Sequence, residues 1–190
     1  GGSMLSFAGK RVLVTGASKG IGRACSVRLV ELGAHVIALG RDGGQLRELE
    51  GLAKSEAGSV QAVVADASDA AALAATLEAE AGEVDHLVNN AGVALNAPFL
   101  EVSAADWDAT LGVNTRAALL CGQYAAKSMI RREVAGSIVN VSSQAAFVAL
   151  DEHAAYCASK AAMDALTRQM ALELGPFGIR TNSVNPTVTL

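Results

Sequence analysis

The sequence predicts an α/β domain built on a doubly wound parallel sheet with helices on both faces. Short β-rich runs alternate with longer helical patterns along the 190 residues, hydrophobic residues make up 51% of the chain and aromatic residues only 4%. Such alternation joins parallel strands through crossover helices, and helices rich in Ala, Val and Leu pack well on a buried sheet. We expect one domain over residues 5–190, and we interpret residues 1–4 as the remnant of an expression tag.

Hydrophobic periodicity and turn residues place the elements along the chain. Strands are predicted over residues 11–15, 35–39, 59–65, 85–89, 136–142 and 180–184. Helices are predicted over residues 20–33, 43–54, 69–82, 103–132 and 154–175. Ser103, followed three residues later by Asp106, suits a helix N-terminus, while Gly33 and Gly175-Pro176 suit C-termini.

The charge balance and the cysteines argue against several classes of protein. Fifteen basic and 19 acidic residues give a net charge of −4, with no basic block for nucleic acid or an anionic membrane. No run approaches the roughly 18 apolar residues of a membrane span. Cys25, Cys121 and Cys157 are odd in number and lack CxxC spacing, which indicates reduced thiols in a cytoplasmic protein and no metal site. We therefore expect small molecules, or further copies of the chain, as partners.

A glycine-rich turn follows the first predicted strand and opens the first helix, with the sequence Gly16-Ala17-Ser18-Lys19-Gly20-Ile21-Gly22. A side chain at Gly16 or Gly20 would obstruct the approach of a pyrophosphate to backbone N–H groups at the helix N-terminus, where the dipole favours anions. Gly22 would let the helix lie tightly on the strand. The spacing differs from G-x-G-x-x-G, and glycine turns also arise for purely steric reasons. Its position after the first strand is what favours dinucleotide binding.

The end of the second strand indicates which dinucleotide is bound. An acidic residue there would bind the ribose 2′-hydroxyl of NAD, but Arg41 suits a 2′-phosphate and Lys19 could approach the same group. We therefore predict NADP(H) as cofactor. The alternative is that Arg41 is a solvated surface charge and Asp42 only caps the next helix. Asp66, at the end of the third strand, is either an adenine contact or an ordinary polar residue.

Three residues in the second half of the chain predict acid–base chemistry. Tyr156 and Lys160 are four residues apart in a helical stretch, so they share one face of the helix. A nearby ammonium favours the phenolate form of a tyrosine, which can then exchange a proton. Ser143 follows the fifth strand, where its hydroxyl could bond a carbonyl oxygen that becomes alkoxide-like. An exposed helical pair without a catalytic role is the alternative.

Taken in order, these motifs resemble the short-chain dehydrogenase/reductase family of the NADP-preferring type. The resemblance spans residues 7–188 and rests on Thr15-Gly16-x-x-x-Gly20-x-Gly22, Asn89-Asn90-Ala91-Gly92, Asn114, Ser143 and Tyr156-x-x-x-Lys160. It implies a Rossmann-like fold in which Tyr156 is the general acid and Ser143 polarises the carbonyl. Lys160 would assist Tyr156 and hold the nicotinamide ribose, and Asn114 would anchor a water in a proton relay. From the residues alone, Asn114 could equally be a satisfied polar residue in a helix.

The resemblance also implies a cofactor-binding set. Its members are Gly16, Ser18, Lys19, Gly20, Ile21, Gly22, Arg41, Asp66, Asn90, Ala91, Gly92, Tyr156, Lys160, Pro186, Thr187 and Val188. Pro186-Thr187-Val188 is similar to the segment that lines the nicotinamide carboxamide in this family. In this family, helices like those predicted over residues 103–132 and 154–175 pair subunits, so a homo-oligomer, a dimer or tetramer, is expected; packing on the sheet alone is the alternative.

Within the family, the closer resemblance is to NADPH-dependent reductases of small carbonyl compounds, of the L-xylulose or α-dicarbonyl type. Gln144 and His153 would bind substrate hydroxyls or a second carbonyl, together with Ser143 and Tyr156; for His153 a surface residue at a helix start is the alternative. A 3-ketoacyl reductase shares the same catalytic set. Family members continue into a lid and a last strand beyond the position of Leu190, so a catalytically impaired nucleotide-binding form is a third reading.

Overall fold

A computed structural model describes residues 5–53 and 58–187, and shows one parallel sheet of six strands. The strands are β1 (Arg11–Thr15), β2 (His35–Gly40), β3 (Ser59–Val64), β4 (His86–Asn89), β5 (Ser137–Val141) and β6 (Arg180–Val184). Their order across the sheet is β3-β2-β1-β4-β5-β6, and every neighbouring pair is parallel. The predicted doubly wound, Rossmann-like α/β fold is confirmed. Val188 and residues 1–4 lie outside the described residues.

Helices connect the strands, as the alternating pattern predicted. They are α1 (Gly20–Glu31), α2 (Gly43–Leu52), α3 (Ala70–Thr76), α4 (Ala104–Leu111), α5 (Ala117–Arg131) and α6 (Ala154–Leu174). Short 3₁₀ turns lie at Phe99–Glu101, Gln144–Ala146 and Gly175–Phe177. Ser103 accepts a hydrogen bond from the Asp106 N–H at 3.0 Å, so the predicted start of α4 is confirmed. Of the helices described, none has the length and apolarity needed to cross a membrane.

The predicted helices over residues 69–82 and 103–132 are each interrupted by a π-helical segment. These segments are Leu77–Ala81, which extends α3, and Gly112–Arg116, which joins α4 to α5. Side-chain periodicity does not reveal a shift from i→i+4 to i→i+5 bonding, so the sequence predicted regular helices. Such segments often lie at functional sites, and the second contains Asn114.

The pleat of β1 and β2 divides the buried residues between two cores. Leu13 and Ile37 face one side of the sheet and pack with residues of α3, α5 and α6, among them Leu73 and Met129. The alternating residues Val12, Val14, Val36 and Ala38 face the other side and pack with Val30, Leu46 and Leu49 of α1 and α2. Because both faces are covered, these strands are continuously apolar, as parallel strands in α/β proteins are.

The topology places the carboxyl ends of all six strands at one edge of the sheet. The chain leaves β1 towards β2 and β3 on one side, and then returns to place β4 on the other side of β1. The helices that follow β1 and β4 therefore diverge, and a crevice opens between the ends of these two strands. The loops that carry the predicted site residues meet around this crevice.

At the opposite edge, Asp85 ties the start of β4 to β1 and to the end of α5. Its carboxylate accepts hydrogen bonds from the Arg11 N–H at 2.8 Å and from Arg132 Nη2 at 2.7 Å. Burial raises the pKa of Asp85, but these two partners outweigh burial and hold the pKa below its usual value. The ionised carboxylate therefore stabilises the fold above the pKa of the unfolded chain, and this stabilisation is lost as the pH falls through the folded-state value.

Replacing Asp85 with asparagine is expected to lower the free energy of unfolding by about 1–3 kcal/mol near pH 7, because Arg132 loses its buried charged partner. The difference from the wild type narrows in acid, below about pH 4, where the carboxylate takes up a proton. Urea unfolding of both proteins at several pH values measures this difference in the free energy of unfolding. Glu31→Gln, which breaks an exposed pair with Arg28, is the control and should change stability by less than about 0.5 kcal/mol. A deficit that stays constant down to low pH would contradict the assignment.

Candidate active site

A groove of about 800 Å³ runs across the carboxyl ends of β1, β2 and β4. Most of the predicted cofactor-binding residues line it: Gly16, Ser18, Lys19, Gly20, Arg41, Asp66, Asn90, Ala91 and Gly92. Gly43, Gln45, Val93 and Val113 also line the groove, although no sequence motif predicted them there. The last two are apolar residues in ordinary helical or loop patterns, so nothing in the sequence marks them as groove residues.

The glycine turn fits close to β4, and each glycine has its own physical reason. Gly16 has φ +65°, and a Cβ there would lie 2.9 Å from the Ala91 Cα, so packing already requires a glycine; its predicted part in giving a pyrophosphate access stays a prediction. A Cβ on Gly22 would lie 2.3 Å from the Gly16 carbonyl oxygen, which agrees with the predicted tight contact of α1. Gly20 has φ +56° and open space beside it, so it leaves the groove clear.

Thr15, at the end of β1, connects the two sides of the crevice, a role that the sequence did not predict. Its buried hydroxyl oxygen accepts hydrogen bonds from the N–H groups of Asn90 at 2.9 Å and Ala91 at 3.0 Å. The Asn90 side chain donates in return to the carbonyl oxygens of Thr15 and Gly16, both at 3.1 Å. These four hydrogen bonds fix the Asn90-Ala91 turn against the glycine turn and hold the floor of the groove.

The first turn of α1 is open at its N-terminus. Lys19 is the residue before the helix and makes no side-chain capping bond, and the first turn carries no acidic residue. Backbone N–H groups at such a position carry partial positive charge and favour an anion. The first turn of α1 is therefore suited to the pyrophosphate of a dinucleotide.

At the end of β2, the side chain of Ser18 occupies the space beside Gly40. A Cβ on Gly40 would lie only 2.4 Å from Ser18 Oγ, so no acidic side chain fits here without a shift of Ser18. Arg41 is exposed and lines the groove together with Lys19. Asp42 caps α2 by accepting a hydrogen bond from the Gln45 N–H at 2.9 Å. The alternative prediction that Asp42 caps the next helix is therefore correct. Arg41, which the same alternative placed in solvent away from any ligand, lines the groove.

Asp66 lies at the far end of the groove, beyond β3. It is exposed, and its carboxylate accepts a hydrogen bond from the Ser68 N–H at 2.9 Å. Hydrogen bonds from Ser68 lower the pKa of Asp66, and the charge of Arg41 adds to this effect. An ionised carboxylate therefore stands at the position predicted to meet an adenine.

A second cavity, of about 440 Å³, adjoins the first and holds the predicted catalytic and substrate-binding residues. Its walls include Ile21, Asn90, Gly92, Ser143, Gln144, His153, Tyr156, Lys160, Pro186 and Thr187. Residues from five separate parts of the chain are thus brought to one place. Gly22 and Asn114 lie behind these walls, and Val188 lies outside the described residues.

Tyr156 and Lys160 project from the same face of α6, as predicted. The Lys160 Nζ lies 5.7 Å from the centre of the Tyr156 ring and donates a hydrogen bond to the Val141 carbonyl oxygen at 2.8 Å. Lys160 is only 4% exposed, so the alternative of an exposed pair is wrong. Burial lowers the pKa of Lys160 to about 8, with the charge of Asp164 acting in the opposite direction.

Ser143 is buried at the end of the loop after β5. Its Oγ accepts a hydrogen bond from the Ala145 N–H at 3.1 Å and so caps the 3₁₀ turn that follows. This accepting role leaves the hydroxyl hydrogen available as a donor towards the cavity. The Gln144 N–H donates to the Pro186 carbonyl oxygen at 3.0 Å, which joins this loop to the segment after β6.

The Asn114 side chain is fully buried behind Gly92. Its Oδ1 accepts from the Val93 N–H at 2.8 Å, and its Nδ2 donates to the Val93 carbonyl oxygen and to Ser159 Oγ, both at 2.9 Å. These bonds hold the π-segment between the loop after β4 and α6. The side-chain amide is thus used within the protein, which agrees with the reading of Asn114 as a satisfied polar residue.

His153 lies at the mouth of the second cavity, with its ring edge-on to Tyr156 at 6.0 Å between centres. Its Nδ1 bonds the Asp151 carbonyl oxygen, which only accepts, so Nδ1 carries the proton. Nε2 is then the acceptor for the Asn96 side-chain amide at 3.0 Å. These two bonds hold the His153 ring in one orientation and engage both of its ring nitrogens, so it is not a loose surface residue.

Comparison with known proteins agrees with this geometry. The sequence model of the short chain dehydrogenase family matches residues 10–190. The chain is 49% identical to L-xylulose reductase from Mesocricetus auratus and 47% identical to D-erythrulose reductase from Gallus gallus, in each case over 98% of this chain and 74% of the relative. A short-chain dehydrogenase from Sphingobium yanoikuyae in complex with NADPH is 31% identical, with a TM-score of 0.87 over 95% of this chain and 72% of that one. Since the match covers nearly the whole chain at close to half identity, the chain belongs to the short chain dehydrogenase family.

Proposed function

We propose that this protein is an NADPH-dependent reductase of small carbonyl compounds, with keto-sugars such as L-xylulose as the preferred class. The observation that carries the proposal is the convergence of Ser143, Tyr156 and Lys160 on one cavity that opens into the groove over β1 and β4. A family member that acts on L-xylulose is 49% identical to this chain. Family membership alone indicates an oxidoreductase. The residues of the cavity and the groove support the narrower proposal of an NADPH-dependent carbonyl reductase.

The side chains of the second cavity have the donors that carbonyl reduction requires. A bound nicotinamide cofactor supplies the hydride to the carbonyl carbon. The Tyr156 hydroxyl donates its proton to the carbonyl oxygen, so that one C–H and one O–H bond form and the product is an alcohol. The Ser143 hydroxyl bonds the same oxygen while negative charge develops on it. The ammonium of Lys160, 5.7 Å from the ring centre, stabilises the phenolate that Tyr156 leaves behind.

The groove fits a dinucleotide that carries a 2′-phosphate. Gly20 leaves the first turn of α1 open to a pyrophosphate, and Lys160 faces the place where the nicotinamide ribose would lie. At the other end, Arg41 and Lys19 supply two cations, and Ser18 fills the space that a carboxylate for NAD would need. Guanidinium groups bind phosphate through paired, charge-assisted hydrogen bonds. NADP(H) is therefore the cofactor that these residues favour.

The substrate end of the cavity favours a polar molecule. Gln144 stands beside Ser143 and Tyr156, and these three side chains offer hydrogen-bonding groups, while His153 forms a polar wall whose ring nitrogens already bond Asp151 and Asn96. A site built from such groups selects substrates with hydroxyls and rejects analogues that leave its polar groups unpaired. This supports a small keto-sugar or α-dicarbonyl over a long acyl thioester.

The test is an absorbance assay of NADPH oxidation with three substrates: L-xylulose, diacetyl and a 3-ketoacyl thioester. We expect turnover with the first two and little with the third. Calorimetry of NADPH binding runs in parallel. Binding without turnover of any of the three would reject the reductase assignment for this chain, and preferred turnover of the thioester would reject the substrate class.

Two further properties are part of the proposal. Trp107 and Leu119 are exposed apolar residues on α4 and α5, and a shallow groove on this side includes Leu111 and Leu166. We expect this face to pair copies of the chain into a dimer or tetramer, which sedimentation velocity would measure.

The three cysteines are all free thiols, in keeping with a reducing cytoplasmic location. Imaging of the tagged protein in its native cell would test this location.

A further inference from the structure

One buried acid lies beside the catalytic residues without a role in the reaction described above. Asp164 is 6% exposed and stands one helical turn after Lys160 on α6. Its Oδ2 accepts a hydrogen bond from Asn185 Nδ2 at 2.9 Å, while its Oδ1 is buried and has no hydrogen-bond partner among the residues that the structure describes. A buried carboxylate with a single hydrogen bond is costly. Such a group persists in a folded protein when it serves a neighbouring charge or holds a structure in place.

Asn185 links this acid to the catalytic serine. Its Nδ2 group donates one hydrogen bond to Asp164 and a second to the Ser143 carbonyl oxygen at 3.1 Å. Ser143 caps the 3₁₀ turn after β5, and Gln144 bonds Pro186 immediately after Asn185. Two loops that wall the cavity, after β5 and after β6, are therefore anchored to α6 through one carboxylate.

Asp164 also supplies negative charge close to Lys160. Residues four apart on a helix have Cβ atoms about 6 Å from each other, and Lys160 Nζ itself bonds the neutral Val141 carbonyl oxygen. On its own helix Lys160 faces Tyr156 and Asp164. Its partner on β5 is the backbone carbonyl of Val141. Gly92, in the loop after β4, and Asn114, in the π-segment, lie nearby and are both neutral. Among these described neighbours, Asp164 is the only one with a carboxyl group.

We propose that Asp164 is a positioning residue for the reductase reaction: through Asn185 it fixes the Ser143 loop, and its charge keeps Lys160 in the ammonium form. This inference rests on the proposed function, because it assigns a role around the same site. The two parts of the role are separable, since Asn185 carries the hydrogen bonds and Asp164 alone carries the charge. The charge agrees with the direction in which Asp164 acts on the pKa of Lys160, against the effect of burial.

Two variants and one matched control separate the parts. Asp164→Asn keeps an acceptor for Asn185 but removes the charge, and Asn185→Ala removes both hydrogen bonds but keeps the charge. Glu173→Gln removes one negative charge from an exposed position on the same helix. The readout that needs no turnover is the NMR titration of ¹³C-labelled lysine side chains in the cofactor-free protein. The Lys160 signal is identified by its loss in Lys160→Met.

In the wild type the Lys160 midpoint is expected at a pH of about 8. Removing a negative charge destabilises the ammonium, so Asp164→Asn should move the midpoint down by roughly one pH unit, and the alkaline fall of kcat should move with it. Asn185→Ala should leave the midpoint in place and lower kcat roughly tenfold, with a smaller change in KM, because Ser143 is misplaced. Glu173→Gln should match the wild type in both measurements.

An unshifted Lys160 midpoint in folded Asp164→Asn, or a wild-type kcat in Asn185→Ala, overturns the inference. Asn185 is only half-buried and its replacement leaves Asp164 intact, so the positioning part is tested even where Asp164→Asn does not fold. A wild-type protein that shows no reductase activity in any assay contradicts the proposed function instead. In that case the lysine titration still decides whether Asp164 controls the charge of Lys160.

Discussion

Tyr156→Phe is expected to lower kcat for carbonyl reduction by about 10²–10⁴-fold, because the ring stays in place while the proton donor is lost. The half-buried ring should continue to pack beside Lys160, 5.7 Å from the ammonium, so folding and NADPH affinity should change little. The measurement combines the rate of NADPH oxidation at saturating substrate with calorimetric binding of NADPH. A large loss of kcat with preserved binding identifies Tyr156 as the acid.

The chain provides a matched control for this variant. Its other tyrosine, Tyr124, lies on α5 and donates a hydrogen bond to the Gly82 carbonyl oxygen at 2.7 Å, away from both cavities. Tyr124→Phe removes the same atom and should keep the wild-type kcat. Equal rates for Tyr156→Phe and the wild type would show that the proton comes from another group, and the mechanism proposed for Ser143 and Lys160 would fail with it.

The sequence was informative where local chemistry determines structure. Short β-rich runs that alternate with helical patterns predicted parallel strands, and the observed sheet contains all six predicted strands with small changes at their ends. Ala65 and Ser142 were predicted to lie in strands but come directly after the observed β3 and β5. Each still pairs with a neighbouring strand, because the Ala65 N–H donates to the Gly40 carbonyl oxygen and the Ser142 N–H donates to the Val184 carbonyl oxygen. The i,i+4 spacing of Tyr156 and Lys160 predicted that both lie on one face of α6, as they do.

Features that depend on contacts between distant segments were not predictable in the same way. The need for glycine at position 16 comes from Ala91 and Asn90, which are far away in sequence and close only after β4 pairs with β1. The roles of Thr15 and Asn185 likewise depend on loops that meet at the edge of the sheet. Neither residue type is distinctive by itself, since threonine in a strand and asparagine before proline are common. Only the folded chain brings their partners within hydrogen-bonding distance.

Cofactor choice is the second property for which a large effect is expected. Arg41→Ala should lower kcat/KM for NADPH roughly tenfold to a hundredfold, which corresponds to the loss of hydrogen bonds to a charged group. The value for NADH should stay nearly unchanged, because that cofactor offers no 2′-phosphate to Arg41. Steady-state kinetics with both cofactors at a fixed keto-sugar concentration gives the ratio. A rise in ionic strength should weaken NADPH binding in the wild type more than in the variant, since exposed charges are screened.

Arg47→Ala is the control that separates a specific contact from general charge. Arg47 is also exposed and lies on α2 a few residues after Arg41, but it does not line the groove. Both variants lose one positive charge, so a long-range electrostatic effect would appear in both, whereas a direct phosphate contact would appear only in Arg41→Ala. If Arg41→Ala lowers kcat/KM by the same factor with NADPH and with NADH, Arg41 does not bind the 2′-phosphate. Cofactor choice would then depend on Ser18 alone, whose side chain fills the space beside Gly40. The double variant Ser18→Gly, Gly40→Asp would test this, because it makes room for a carboxylate that can bind the ribose of NADH.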